Sequence, residues 1–270
     1  MLQPLCQQAG SGGGIYTCCQ HIYFRRLIPL WKMLGVRLVF TPHKTSTSDG
    51  VEGDMRSDDI VFKACPLYAV NLEDNSKNGI FKMVDLEKCP RPIWYSFCGA
   101  YQANYLSDVR MRLFNMTHRK DCIIKNTGQW HFNEVVYDPR LQNREGDIEV
   151  NDNHKKRTGF YNSLLVKSRF TLAPVGSGPN TIRFWEGLGA GSIPVILSDT
   201  MELPPIPEGL LEGGGGKRED RWGTAIIRVQ EQDVGQIPEI LAAITSEKEE
   251  RMRKNCLLLY NYFKDHFYWD

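Results

Sequence analysis

The sequence predicts an α/β protein made of two doubly wound halves, and three observations carry that expectation. Residues 168–205, SRFTLAPVGSGPNTIRFWEGLGAGSIPVILSDTMELPP, read as strand, glycine loop, helix and strand. Near the start, a glycine run is followed by a helical pattern and the apolar strand VRLVFTP, the opening of another such unit. From Pro92 the alternation restarts with IWYSFCGA. A length of 270 residues suits two compact domains, divided at residue 90 into 1–90 and 91–270.

Taken in order, Met1–Gln8 reads as a short strand and Gly10–Gly14 as a tight loop. Between Ile15 and Leu34, residues Ile22, Tyr23, Leu27, Leu30, Trp31 and Leu34 recur near the 3.6 period, giving a helix bent at Pro29 and capped by Gly35. Residues 44–59 are polar, without periodicity and rich in acids, so they form a loop. IVFKACPLYAV is the next strand region, and residues 71–92 are polar turns holding the crossover. After the strand IWYSFCGA come a helix over Ala103–Met116 and a strand CIIKNTG. Leu141–Thr158 reads as loop and Gly159–Lys167 as a helix entering the 168–205 unit. EGGGGKREDR is a loop, TAIIRV a strand, and Val234–Thr245 and Glu247–Phe263 are helices, the last expected to pack back on the first domain.

Composition excludes several classes. The 33 basic and 32 acidic residues leave a net charge of +1, without the basic excess of a nucleic-acid binder. No stretch has the length and apolarity of a membrane span, and the N-terminus lacks the charged start and apolar core of a signal peptide. These features lead to the expectation of an unanchored, cytosolic protein. Eight cysteines show no CxxC pair or zinc-finger spacing and read as buried thiols; a redox or metal role for the Cys18–Cys19 pair has nothing near it in sequence. GGGGK lacks the leading glycine and the following Ser/Thr of a phosphate loop, and GSGGGI is not a dinucleotide fingerprint.

The 168–205 unit suits a phosphorylated ligand. Backbone N–H groups and the dipole at a helix start attract anions, and Arg183 on the first turn adds a fork for phosphate oxygens. Glu186, one turn on, can accept hydrogen bonds from ribose hydroxyls. Gly176, Ser177, Gly178, Asn180 and Thr181 offer backbone and hydroxyl contacts, or else form a simple capped turn. The alternative for Arg183 is a surface ion pair with Glu186 or Glu202. The basic patch His154–Arg157 could also serve a small phosphorylated ligand.

In order, Ser168, Phe170, Pro174, Gly176, Arg183, Glu186, Ala190, Gly191, Ile193, Pro194, Val195, Leu203 and Pro204 resemble the signature of exostosin-like glycosyltransferases. A weaker similarity covers Arg91–Leu113, including Arg110 and Leu113. The resemblance implies a GT-B fold, two Rossmann-like domains facing a cleft, with the acceptor on the first and a UDP-sugar donor on the second. It implies transfer of a sugar, with xylose or galactose preferred, to a hydroxyl of a glycan acceptor. Arg183 would stabilise the leaving diphosphate, and Arg110 would give a second phosphate or sugar contact. Animal members of the family are anchored in the Golgi, a pattern from which this chain departs.

For a metal-assisted alternative, Glu52-Gly53-Asp54 and Asp147-Ile148-Glu149 are the nearest to Asp-x-Asp, both in polar loops. The expectation is therefore inverting, metal-independent chemistry without a cofactor, in which cationic side chains take the place of an ion. The base should come from the first domain: His43 at a strand end, or Asp49, Glu52 or Asp54 in the acidic loop. Two other readings stay open: a non-catalytic glycan- or nucleotide-binding module, and a doubly wound oxidoreductase.

Overall fold

A computed structural model describes residues 14–46, 60–128, 148–211 and 221–267, with side chains from 155 onward in the helix that begins at 148. Two parallel sheets organise it. The first has order β1-β2-β3, from Ile15–Cys18 (β1), Val36–Thr41 (β2) and Val61–Ala64 (β3). A 3-10 turn over Phe24–Leu27 runs into helix α1, Ile28–Met33. Phe24, Ile28 and Trp31 close a small core with Val36, Val39 and Ile60.

The helix expected over Ile15–Leu34 is thus only its second half. Ile15–Cys18 alternates half-buried and exposed residues, as an edge strand does, and pairs with β2. Pro29 lies in the first turn of α1, where its missing N–H costs no hydrogen bond, so it starts the helix instead of bending it.

The second sheet has order β5-β4-β6-β7-β8. Its strands are Ile93–Gly99 (β4), Ile123–Asn126 (β5), Ser168–Pro174 (β6), Ile193–Leu197 (β7) and Ile227–Arg228 (β8). All pairs are parallel. Short helices α2 (Val70–Glu73) and α3 (Gly79–Met83) precede it, and α4 (Val109–Asn115) links β4 to β5. Helix α5, Ile148–Lys167, starts well inside the stretch read as loop. Helix α6, Ile182–Gly189, follows β6, and α7 (Ile237–Ala242) and α8 (Ser246–Phe267) end the described chain. Met1–Gln8 and the GGGGK stretch lie outside the described residues.

β6 and β7 are almost wholly buried, which their continuous apolar runs require of a sheet covered on both faces. Gly191 ends α6 at φ +65°, a left-handed conformation, and a Cβ there would lie 3.0 Å from the Leu86 carbonyl oxygen. Arg91 threads the same corner, donating to the carbonyls of Leu86, Leu165, Ser168 and Ala190.

Two boundary expectations change. Ala69 belongs to the large core, and Phe81 packs with Leu165, Val166 and Ala190. The second packing unit therefore starts before residue 70, not at 91. Helix α8 stays with that unit. Its Met252, Cys256, Leu259, Tyr260 and Phe263 share one buried stripe, and Phe263 stacks on Trp222 at 5.6 Å between ring centres and meets Trp185 edge-on. This stripe and the hydrogen bond from Tyr260 to Glu73 seat the helix on the second unit; the aromatic end DHFYWD, the segment expected to reach the first domain, closes with residues 268–270, which lie outside the described residues.

The sheets meet through loops at the carboxyl ends of their strands. Thr45 forms a bridge with Met201, Ser46 donates to the Thr200 carbonyl, and Lys44 pairs with Glu202 at 2.6 Å. Asn180 donates to the Pro42 carbonyl at 2.9 Å.

Candidate functional site

In the second sheet, β5 and β6 lie on opposite sides of β4, so the order reverses there. The carboxyl ends of strands at such a reversal are where open α/β sheets take ligands. A cavity of about 520 Å3 opens at this place. Its wall takes Cys98, Gly99 and Ala100 from the end of β4 and Lys125, Asn126 and Thr127 from the end of β5. Helix α5 adds Lys156, Arg157, Thr158, Phe160 and Tyr161; α6 adds Ile182, Arg183 and Glu186; Val70, Asn71 and Lys77 complete it.

Arg183 stands in this wall, half-buried. Its Nε donates to the Cys98 carbonyl at 2.8 Å, and its guanidinium lies 5.3 Å from the Phe97 ring centre and 6.0 Å from that of Tyr161. Gly99 makes room for it, since a Cβ at that position would sit 2.7 Å from Nη2. The surface ion-pair alternative does not hold: Glu202 is taken by Lys44, and Glu186 is held by other donors. The first turn of α6 borders the cavity at Ile182 and Arg183, so helix start and guanidinium act on one space.

Glu186, also in the wall, is fully buried. Oε1 accepts from the Asn71 backbone N–H at 3.2 Å and from Asn71 Nδ2 at 2.6 Å, and Oε2 accepts from the Tyr161 hydroxyl at 2.6 Å. Burial pushes its carboxyl above the usual range, against the pull of these three hydrogen bonds and of Arg183. Burial and the neighbouring carboxylate likewise push the Tyr161 phenol up. Glu186 thus borders the site already engaged, with one lone pair of Oε2 remaining for a ligand hydroxyl.

Charge in the cavity is lopsided. Lys77, Lys125, Lys156, Arg157 and Arg183 face one carboxylate, Glu186. Lys77 pairs with Asp74 at 2.7 Å, and Lys125 sits 4.3 Å from the centre of the Phe160 ring. Lys156 and Arg157 come from the basic patch visible in the sequence. The roles of Asn71 and Tyr161 had no signal there, because each depends on a contact with Glu186 that only the fold creates.

Arg110 is placed differently from the expectation. It is 5% exposed and outside the cavity wall. Nε, Nη1 and Nη2 donate to the carbonyls of Val175, Ala100 and Pro174, and Tyr105 lies under its guanidinium at 4.7 Å. Burial, then repulsion by Arg183, lowers its pKa to about 9. It fastens the ends of β4 and β6 together, and its donors point at backbone. Gly176 leaves space for this, as a Cβ there would lie 2.7 Å from Arg110 Nη2.

The loop before α6 is also committed to packing. Asn180 spends its amide on Pro42 and its oxygen on Trp185 Nε1 at 3.2 Å. Gly178 lies against His43 and Ile22, Thr181 is buried at the cap position of α6, and Ser177 alone is exposed. The cavity wall begins just after, at Ile182.

His43 is 6% exposed, with Nε2 bonded to the Gln20 carbonyl at 3.1 Å and Nδ1 buried without a partner. Gly178 packs close to this atom, since a Cβ there would come within 2.8 Å of Nδ1. Desolvation lowers the His43 pKa to about 4. This environment suits a junction residue better than a general base. Asp49, Glu52 and Asp54 lie outside the described residues, as do Asp147 and the side chains of Glu149 and His154. Among the described residues, no group of three or more His, Cys, Asp or Glu side chains is arranged to hold a metal ion.

Comparisons with known proteins converge on this region. The model of the exostosin GT47 domain matches residues 72–244, which contain β4 to β8 and all of the cavity wall but Val70 and Asn71. The exostosin-1 homolog of Caenorhabditis elegans is 29% identical over 168 residues, 62% of this chain and 39% of its own length. Exostosin-1 of Drosophila melanogaster is 28% identical over 158 residues, 57% of this chain and 18% of its own. A probable glucuronoxylan glucuronosyltransferase of Arabidopsis thaliana is 29% identical over 101 residues, 37% of this chain and 20% of its own. The chain thus spans well under half the length of these relatives. No described helix is long and apolar enough to cross a membrane, and the exostosin relatives lend the cytosolic expectation no support. With a matched domain that covers most of its length and holds the β4–β8 sheet, Arg183 and Glu186, the chain belongs to the exostosin GT47 family.

Proposed function

We propose that this protein is a glycosyltransferase that moves a sugar from a UDP-sugar to a hydroxyl of a glycan acceptor. The observation that carries the reading is the joint placement of Arg183, the start of α6 and four further cationic side chains around one cavity. Transfer leaves a diphosphate whose negative charge grows in the transition state, and preorganised cations and N–H groups aimed at it lower the barrier. In this reading Arg183 takes the diphosphate, Glu186 and Tyr161 meet the ribose edge, and Arg110 positions the β4 and β6 ends without touching donor.

The two sheets then form the two sides of a GT-B cleft. The acceptor lies on the β1–β3 side, and inversion is driven by a base from the acidic loop, Asp49, Glu52 or Asp54. The cations make the chemistry metal-independent. Xylose or galactose is the first donor class. The plant relative's name supplies a second, glucuronic acid, which Lys125 and Lys156 favour because their charge exceeds what a diphosphate near Arg183 requires.

UDP release from UDP-xylose, UDP-galactose and UDP-glucuronic acid, with and without oligosaccharide acceptors and with and without EDTA, tests this reading. Acceptor-stimulated release that survives EDTA is expected. Binding of UDP with no release from any donor would make the chain a non-catalytic module, and binding of NAD in place of UDP would make it an oxidoreductase.

A further inference from the structure

We propose, on the reading that Glu186 meets the ribose, that Asn71 is a positioning residue: it fixes the Glu186 carboxylate so that a single acceptor position stays open, and the site thereby prefers a ribonucleotide to its deoxy counterparts. Asn71 lies just before residues 72–244, the stretch the family domain matches, and lines the cavity beside Glu186. Two of its donors converge on one oxygen. The backbone N–H reaches Glu186 Oε1 at 3.2 Å, and Nδ2 reaches the same atom at 2.6 Å. That N–H belongs to the second residue of α2, among the first-turn groups that have no carbonyl partner inside a helix. A carboxylate oxygen offers about two lone-pair positions, so Oε1 is filled. The Tyr161 hydroxyl takes one position of Oε2 at 2.6 Å, which leaves the other for a ligand.

Helix α2 is itself seated on α6. Leu72 lies against Gly189, where a Cβ would sit 2.6 Å from Leu72 Cδ2, and Gly189 is three residues from Glu186 on the same helix face. Asn78 donates to the Leu72 carbonyl at 2.9 Å, and Ala69 is buried in the large core. A fixed turn therefore presents both Asn71 donors, and Glu186 cannot rotate without breaking two hydrogen bonds. The consequence is a difference between ligands. A fixed, buried acceptor takes one hydroxyl well, and a nucleotide that lacks the hydroxyl leaves it unpaired, which is costly. Without Asn71 Nδ2, Oε1 opens to other donors and the carboxylate is free to turn, so the missing hydroxyl matters less.

Calorimetric titration of the whole protein with UDP, 2′-deoxy-UDP and 3′-deoxy-UDP tests this. Wild type should bind UDP about tenfold more tightly than the weaker deoxy nucleotide, as a hydrogen bond to a charged acceptor implies. In Asn71→Ala that ratio should fall below about threefold, through weaker binding of UDP and nearly unchanged binding of the deoxy nucleotide. Asn71→Leu, which keeps the bulk without the donor, should give the same ratio. Both variants should melt close to wild type, since Asn71 is only half-buried. In a Glu186→Ala background, Asn71→Ala should leave the ratio where Glu186→Ala alone puts it. Equal binding of all three nucleotides by wild type would overturn the ribose reading of Glu186 and the role of Asn71 with it. Full discrimination kept by both Asn71 variants, or an equal loss of affinity for all three nucleotides, would overturn the role of Asn71 and leave the reading of Glu186 standing.

Discussion

Replacing Arg183 with alanine separates its proposed charge role from a structural one. Its Nε holds the Cys98 carbonyl at 2.8 Å, and its remaining N–H groups face the cavity. Loss of the Cys98 contact removes one ordinary hydrogen bond from a half-buried side chain, about 1 kcal/mol of stability. Loss of a bidentate contact to a diphosphate removes two charge-assisted bonds at about 1.5 kcal/mol each, or about 3 kcal/mol of binding. That corresponds to about a 150-fold rise in the Kd for UDP. Calorimetric titration with UDP and a thermal melt read both quantities on one sample. Arg183→Lys should recover only part of the affinity, because a point charge replaces a fork. An affinity change under threefold, or a fall in melting temperature large enough to account for the loss, would refute the reasoning.

Four further outcomes follow from the same geometry. Gly99→Ala puts a Cβ 2.7 Å from Arg183 Nη2 and should weaken UDP binding about tenfold by turning the guanidinium, at a cost of about 1 kcal/mol in chemical denaturation. Glu186 has a raised folded pKa, so its contribution is full below the ordinary 4.5 and is lost as pH rises through the folded pKa; Glu186→Gln should gain stability relative to wild type as pH rises above 4.5, and a pH-independent difference in melts would contradict this. His43 has a folded pKa depressed from 6.5 to about 4, so its neutral, buried form stabilises above pH 6.5 and is lost as pH falls toward 4; His43→Gln should remove about 3 kcal/mol of that acid sensitivity, seen in urea melts across the window. Phe263→Ala empties the stack on Trp222 and should cost about 3–5 kcal/mol, lowering Tm by about 10 °C and marking α8 as part of the β4–β8 unit.

The donor-side half was readable because its elements carry strong local signals. β6 and β7 are unbroken apolar runs, and the glycine loop and Arg183 lie between them in order. β1 was hidden because four residues of period two cannot outweigh a neighbouring helical pattern over twenty. The first turns of α5 were hidden for a functional reason. Residues 148–158 have few apolar side chains, and Lys156, Arg157 and Thr158 line the cavity instead of a core. Arg110 shows the opposite limit. Its residue type and position suited a phosphate, but three carbonyls brought together by β4 and β6 take its donors. Sequence can nominate such a charge, and only the fold shows what it pairs with.

A crystal structure with UDP bound tests the central claim most directly. The account predicts the diphosphate in the cavity at the ends of β4 and β5, with its oxygens about 2.7–2.9 Å from the Arg183 guanidinium and from N–H groups of the first turn of α6. A diphosphate seated elsewhere, with Arg183 still bound only to the Cys98 carbonyl, would contradict it.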